Sequence, residues 1–374
     1  MSYPERAYVP IFFFSRFYGM LAAMSPELIW IIVFVAVALV FDFLNGFHDS
    51  ANIVATMISS RAISPARALT IAAICEFLGP FLFGVAVATT IGHEVIAGSF
   101  LNNPLIFAAL LSAITWNIAT WYFGIPSSSS HALIGGLVGS ALMANFLVML
   151  KANALDSADD LYRIASVIKS GGLLKVLTAL FVSPLLGFVT GFIVIKFIYF
   201  FTRLASPKIN WWFKKGQLLT SIALALSHGT NDAQKTMGVI AMALFASGFT
   251  SEFKVPIWVM AACAGAISLG TATGGWRLIK TIGGKFYKIR PIHGFTTQIS
   301  SGALILGASI LGGPVSTTHV VSSAVLGAGS AERLSKVRWG VGKQIVVAWV
   351  ITIPVTALLA ALVYLVMWST PWVG

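Results

Sequence analysis

Ten apolar stretches leave this chain few ways to fold. They run over residues 28–57, 66–91, 104–122, 127–149, 174–202, 217–247, 255–276, 294–311, 315–329 and 341–367. About 20 apolar residues in a helix cross a bilayer core, and most of these stretches reach or approach that length. Inside lipid, every backbone N–H and C=O needs a partner within the chain, and a helix supplies one segment by segment. The expected class is an all-α polytopic membrane protein. Composition agrees: 57% of the 374 residues are hydrophobic and 10% are charged, against about 25% charged in soluble domains.

The net charge of +12 does not indicate nucleic acid, because the basic residues lie between apolar runs, as topology signals do. The partner they imply is the lipid bilayer. Cys75 and Cys263 both fall inside apolar runs and read as core residues, not as a disulfide or a metal site. Residues 1–27 form an N-terminal extension with no small-residue cleavage site, so no signal peptide is expected. The stretch 151–172 is a polar insert. Sixteen Lys and Arg fall in the loops on one side of the expected topology, from Arg61 to Lys343, and seven fall on the other. The richer side is expected to be cytoplasmic, with both termini outside.

The chain repeats itself. Gly46-Phe47-His48-Asp49-Ser50-Ala51-Asn52 is met 183 residues later by Gly229-Thr230-Asn231-Asp232-Ala233-Gln234-Lys235. Pro126-Ser127-Ser128-Ser129-Ser130-His131 is met 188 residues later by Pro314-Val315-Ser316-Thr317-Thr318-His319. Pro184 and Pro354 are expected to interrupt the last segment of each half. Two motifs in the same order indicate a duplication, with halves at 28–205 and 206–374. Five segments per half is odd, so the second copy would enter the membrane from the opposite face. Inverted repeats with broken or re-entrant helices at the midplane are a hallmark of secondary transporters; a channel is the less favoured reading. The hydroxyl runs are expected at the tips of re-entrant hairpins.

Asn45, His48, Asp49 and Asn52 are spaced i, i+3, i+4, i+7, so they share one helix face, and Thr56 extends it. His228, Asn231, Asp232 and Lys235 repeat the pattern. Charged groups facing lipid would cost several kcal/mol each, so the stripe faces protein or a wet cavity. The plain alternative is a polar network that joins helices. Glu76 also lies at membrane depth, and Asp42, seven residues before Asp49, continues the same face. Serines after a proline at a helix start make an anion cradle from free N–H groups, the helix dipole and hydroxyl donors. Ordinary N-capping is the alternative.

An oxyanion near Asp49 and Asp232 calls for cations. Two like charges about 4 Å apart repel by about 4 kcal/mol at an effective dielectric of 20, and Lys235 offsets only part of that. The remainder requires bound cations or protons; Asp and Asn oxygens suit Na⁺, and His48 and the carboxylates suit H⁺. Anion and cation then favour each other, which is what symport needs. Hydrogen phosphate can donate a hydrogen bond to a carboxylate, and sulfate at neutral pH cannot, so the site leans to phosphate.

These four motifs resemble the inorganic phosphate transporter (PiT) family, especially its bacterial low-affinity members. The resemblance runs over about residues 28 to 367. It implies phosphate uptake by cation symport, as the free anion or a metal–phosphate complex, an inverted-repeat fold, a bacterial inner-membrane location and, in many members, a homodimer. His48 stands where many members have Asn, which is similar to the proton-linked branch. The phosphate-binding set is then Ser127, Ser128, Ser129, Ser130, Ser316, Thr317, Thr318, Asn52, Gln234 and Lys235. The cation-coupling set is Asp49, Asp232, Asn45, His48, Asn231 and Glu76, with Asp49, Asn52, Asn231 and Asp232 as the sodium ligands if sodium is the ion. No cofactor is expected. A sulfate permease of the same family is the runner-up. An intramembrane hydrolase built from a Ser, His131 and Asp49 is more distant, because an enzyme needs one asymmetric site and this chain offers two matched half-sites.

Overall fold

The computed structural model describes residues 25–96, 100–155, 157 and 159–370. The N-terminal extension lies almost wholly outside the described residues. The first half runs α1 (Pro26–Ser59), α2 (Pro65–Phe83), α3 (Ala86–Glu94), α4 (Asn103–Phe123), α5 (Ser129–Lys151), the short α6 (Asp160–Ala165) and α7 (Ser170–Thr202). The second runs α8 (Ile209–Ala246), α9 (Ile257–Thr273), α10 (Trp276–Gly284), α11 (Pro291–Ile310), α12 (Thr317–Glu332) and α13 (Trp339–Trp368). Among the described residues, α1, α2, α4, α5, α7 and α13 are long and apolar enough to cross a membrane, and α9 with α10 makes a seventh, bent by 69°. The chain is a multi-pass membrane protein. Its outer surface is apolar, with Ile32, Leu82, Phe123, Leu185 and Leu219 exposed, while Asp49, Glu76, Asp232 and Lys235 are buried.

Local chemistry sets the helix ends. Pro26 opens α1 behind Ser25, whose hydroxyl accepts from the Leu28 N–H at 3.3 Å. Asn102 caps α4 at Leu105 N (2.9 Å), and Gly124, in the left-handed region at φ 66°, ends it. Ser128 and Ser316 cap α5 and α12, each accepting from the N–H of the histidine three residues on, at 3.2 and 3.3 Å.

Two expected runs are broken. The stretch 66–91 divides at Gly84 (φ 82°) into α2 and α3. Gln234 of α8 seals the gap, because its Oε1 accepts from Val87 N (2.7 Å) and Ala88 N (3.2 Å) while its Nε2 donates to Gly84 O (2.6 Å). The stretch 255–276 ends at Gly274 (φ 73°), where α9 turns into α10. Conversely, Pro184 and Pro354 do not interrupt their segments, since α7 and α13 run straight through them. The Ser183 hydroxyl donates to Leu180 O at 3.2 Å, which satisfies the carbonyl that Pro184 has no N–H to meet.

The halves interlock. α1 packs on α9 and α8 on α2, while α7 packs on α12 and α13 on α5. The close approaches correspond: a Cβ on Gly46 would collide with Ile267 O, and one on Gly229 would collide with Glu76 O. α1 and α8 run antiparallel, since Ser60 meets Gln217 (2.9 Å) near one end and Asp49 meets His228 (3.9 Å) near the middle. The α4–α5 and α11–α12 turns meet in the interior, where Ser130 Oγ donates to Val315 O at 3.3 Å and the rings of His131 and His319 are 4.4 Å apart. Each turn also docks on the other half: Thr281 of α10 donates to Gly124 O at 3.2 Å, and a Cβ on Gly312 would lie 3.1 Å from Thr90 Oγ1 of α3.

Candidate functional site

The antiparallel crossing of α1 and α8 brings the two polar stripes face to face, and the two hydroxyl runs close the space between them. Asp49 Oδ1 contacts His48 Nδ1 at 2.8 Å and accepts from Thr318 Oγ1 at 2.9 Å. Asp232 Oδ2 accepts from Thr317 Oγ1 at 2.9 Å, and its other oxygen pairs with Lys235. Thr317 Oγ1 is also 3.4 Å from Asp49 Oδ2, so one hydroxyl sits between the two carboxylates. A hydroxyl has a single proton, and the shorter distance assigns it to Asp232. Lys235 also donates to Ser130 Oγ at 2.5 Å, which ties the first hydroxyl run to the second stripe.

His228 is the hub. Its Nδ1 lies 2.5 Å from Glu76 Oε1, and its Nε2 lies 3.1 Å from Asp232 Oδ2 and 3.9 Å from Asp49 Oδ2. All four side chains are fully buried. Three carboxyl groups thus converge on one imidazole, with Lys235 as the fixed cation at the cluster among the described residues. Uncompensated buried charge costs several kcal/mol per ion, so a cluster of this composition suits protons or cations as counter-charges. The spacing of His228 with Asn231, Asp232 and Lys235 marks it as part of the stripe. Its role depends on Glu76 of another helix, which spacing does not reveal.

The predicted residues are brought together unevenly. Ser128 and Ser316 are helix caps, and Ser128 Oγ also contacts His131 Nδ1 at 2.8 Å. Ser129 is the first residue of α5 and is buried. Ser127 Oγ pairs with Thr120 Oγ1 at 2.7 Å. Asn52 donates to Thr318 Oγ1 at 3.0 Å. The Asn231 amide contacts Ser309 Oγ at 2.8 Å with one atom, and its other atom lies 3.2 Å from Asp232 Oδ1. Asp49, His228 and Asp232 each offer one ligand atom within 4.8 Å of the others. Gln234 is engaged with the backbone at the α2–α3 break. Asn45 is buried with neither amide atom partnered among the described residues, and Asp42 is fully buried beside Thr236 and Cys263.

The chemistry follows from the donors. The N-termini of α5 and α12 converge beside Lys235, so unpaired backbone N–H groups, two helix dipoles and several hydroxyls face one region. That arrangement suits a tetrahedral oxyanion. The carboxylates alongside suit its counter-cations.

The comparisons with known proteins agree with this geometry. A protein of Bacillus subtilis named "Probable low-affinity inorganic phosphate transporter" is 44% identical over 350 residues, covering 92% of this chain and 99% of its own length. A protein of the same name in Rhizobium meliloti is 45% identical over 332 residues, covering 88% and 94%. A solved structure described as "The sodium-dependent phosphate transporter" superposes with a TM-score of 0.78 at 26% identity, covering 90% of this chain and 98% of that one. The profile described as "Phosphate transporter family" matches residues 45–360. A chain with these motifs, this fold and these relatives belongs to the phosphate transporter family.

Proposed function

We propose that this chain imports inorganic phosphate across a bacterial plasma membrane by symport with protons. The observation that carries the reading is the position of Thr317 and Thr318. Both hydroxyls direct their protons at aspartates, Thr317 to Asp232 and Thr318 to Asp49, each at 2.9 Å. While the aspartates are ionised, these hydroxyls present lone pairs to any anion at the α12 N-terminus. When the aspartates bind protons or another cation, they no longer require the hydroxyl hydrogens, and Thr317 and Thr318 can donate to phosphate instead. Anion affinity thereby depends on cation occupancy, which is a coupling free energy between two sites.

Protons are favoured over sodium because imidazoles already stand where counter-cations are needed. His48 lies against Asp49, and His228 lies among Glu76, Asp232 and Asp49. An imidazolium at His228 can donate to Glu76 and Asp232 together. Sodium is the second reading, supported by the three ligand atoms of Asp49, His228 and Asp232 and by the sodium dependence for which the structural relative is named.

Ser128, Ser129, Ser130, Ser316 and Lys235 complete the phosphate cradle in this reading, with Ser127, Asn52 and Gln234 holding its walls. The antiparallel course of α1 and α8 supports an inverted repeat, in which one half rocks against the other around the fixed site. The loops rich in Lys and Arg face the cytoplasm and the termini lie outside.

Uptake of radiolabelled phosphate into proteoliposomes, with unlabelled sulfate as competitor, tests the substrate. Phosphate is expected to accumulate, with little effect of equimolar sulfate. Sulfate accumulation without phosphate accumulation would overturn the proposal in favour of the sulfate permease.

A further inference from the structure

We infer that the cavity at the C-terminal end of α1 is a second anion site, a vestibule that binds a phosphate-bearing anion apart from the central cradle. It has a volume of about 580 Å³ and is lined by Ser60, Arg61, Lys288, Arg290 and Arg338 among others. Among the described residues, no carboxylate lines it. Arg290 is shared with Glu332 at 2.8 Å, and the same carboxylate takes Lys336 at 2.6 Å and His293 at 3.0 Å. Arg61, Lys288 and Arg338 have no ion pair among the described residues. The pocket therefore carries an unneutralised positive charge, focused by concave low-dielectric walls.

The backbone adds N–H donors. α11 starts at Pro291, which lines the cavity, and Arg338 is the N-cap of α13, so N–H groups of two long helices open on it. The C-terminal ends of α1 (Ser59, Ser60) and α10 (Gly283, Gly284) line it as well, so the net positive charge comes from the side chains. Arg61 adopts φ 55°, a left-handed conformation uncommon for a residue with a side chain. That conformation turns the chain out of α1 with the guanidinium at the cavity wall. Guanidinium forks and helix N-termini both match phosphate oxygens geometrically.

A polar track joins the vestibule to the central site. Ser60 donates to Gln217 Oε1 at 2.9 Å. Gln298 accepts from Thr220 at 2.6 Å and donates to Thr56 at 3.2 Å. Asn52 then donates to Thr318 (3.0 Å), which reaches Asp49. Ser60, Thr56 and Asn52 stand at steps of four along one face of α1. Ser301, one turn on from Gln298, has a buried hydroxyl with no protein partner. The vestibule's role as the cytoplasmic mouth of the pathway rests on the proposed phosphate transport, but its anion binding does not.

Two sources could supply the anion: free inorganic phosphate or the headgroup of an anionic lipid. Binding of radiolabelled inorganic phosphate to the purified full chain in lipid-free detergent distinguishes the sites. The wild type is expected to show two classes of site, the weaker one falling off steeply with added salt. The combined variant Arg61→Gln, Lys288→Gln, Arg338→Gln should weaken that class at least tenfold. It should leave the other class, and the half-saturation for uptake from outside, unchanged. Asp232→Asn should alter the other class alone.

Repeating the measurement in phosphatidylcholine and in phosphatidylglycerol vesicles identifies the source. If the second class persists in both, the ligand is free phosphate; if it is lost only with phosphatidylglycerol, the headgroup takes the same site. A wild type whose single class in detergent responds to Asp232→Asn, or a monodisperse triple variant that retains both classes, would overturn the vestibule. A wild type whose single class responds to the triple variant and not to Asp232→Asn would instead sink the proposed transport function.

Discussion

In the proposed cycle, Thr317 and Thr318 are where anion and cation chemistry meet. Their hydroxyls act as two-way donors, turned to Asp232 and Asp49 in one state and, in the proposed cycle, to phosphate in the other. Asp49→Asn or Asp232→Asn removes the group that releases the hydroxyl, so concentrative uptake should fall at least about a hundredfold, the scale of breaking a buried charge pair. Phosphate binding should survive with a weaker pH dependence; unchanged uptake would remove these aspartates from the coupling. Thr317→Val should raise the half-saturation for phosphate about tenfold, the loss of one hydrogen bond to a charged group, while Thr317→Ser should restore it. The stripes and hydroxyl runs are legible in the sequence because helical spacing and repetition place them without tertiary information. The roles of His228 and Gln234 are not. His228 meets Glu76 only where α8 packs on α2, and Gln234 reads as a member of the phosphate-binding set, with nothing in the sequence to show that the break at Gly84 brings backbone groups to its amide.

Breaks and close approaches define the elements. Hydropathy joins 66–91 into one run because a helix broken at one glycine keeps its apolar composition on both sides. The Gly274-Gly275 pair is a stronger turn signal, yet hydropathy carries the run 255–276 across it for the same reason. The prolines mislead in the opposite direction, and at Pro184 the reason is visible: the hydroxyl of Ser183 repairs the freed carbonyl of Leu180. Where helices of opposite halves touch backbone to backbone, a side chain cannot fit. Gly46→Val and Gly229→Val should each lower the thermal midpoint of the detergent-solubilised protein, at a cost of about 1–3 kcal/mol or more from overpacking. Gly265→Ala is the control, because nothing lies within 4 Å of the added carbon. Equal stability of all three variants would contradict the interlocked packing.

At the scale of the whole molecule, the membrane class is readable from apolar runs, and the proposed duplication rests on two motif pairs. The basic vestibule is not, because its cations come from residues as far apart as Arg61 and Arg338 and converge only when the halves interlock. The orientation can be tested with single cysteines and a membrane-impermeant maleimide, since the native Cys75 and Cys263 are buried. Glu252→Cys should label in intact cells and Lys285→Cys only after permeabilisation, and the reverse pattern would invert the assignment of the termini. The central claim is that proton occupancy of the carboxylate cluster controls phosphate affinity. The most direct test is phosphate uptake into proteoliposomes at one fixed external pH, which keeps the external anion's ionisation constant, with internal pH varied and Na⁺ equal on both sides. An alkaline interior should drive accumulation above equilibrium; accumulation driven only by a Na⁺ gradient, or by neither, would contradict proton coupling at Asp49, His228 and Asp232.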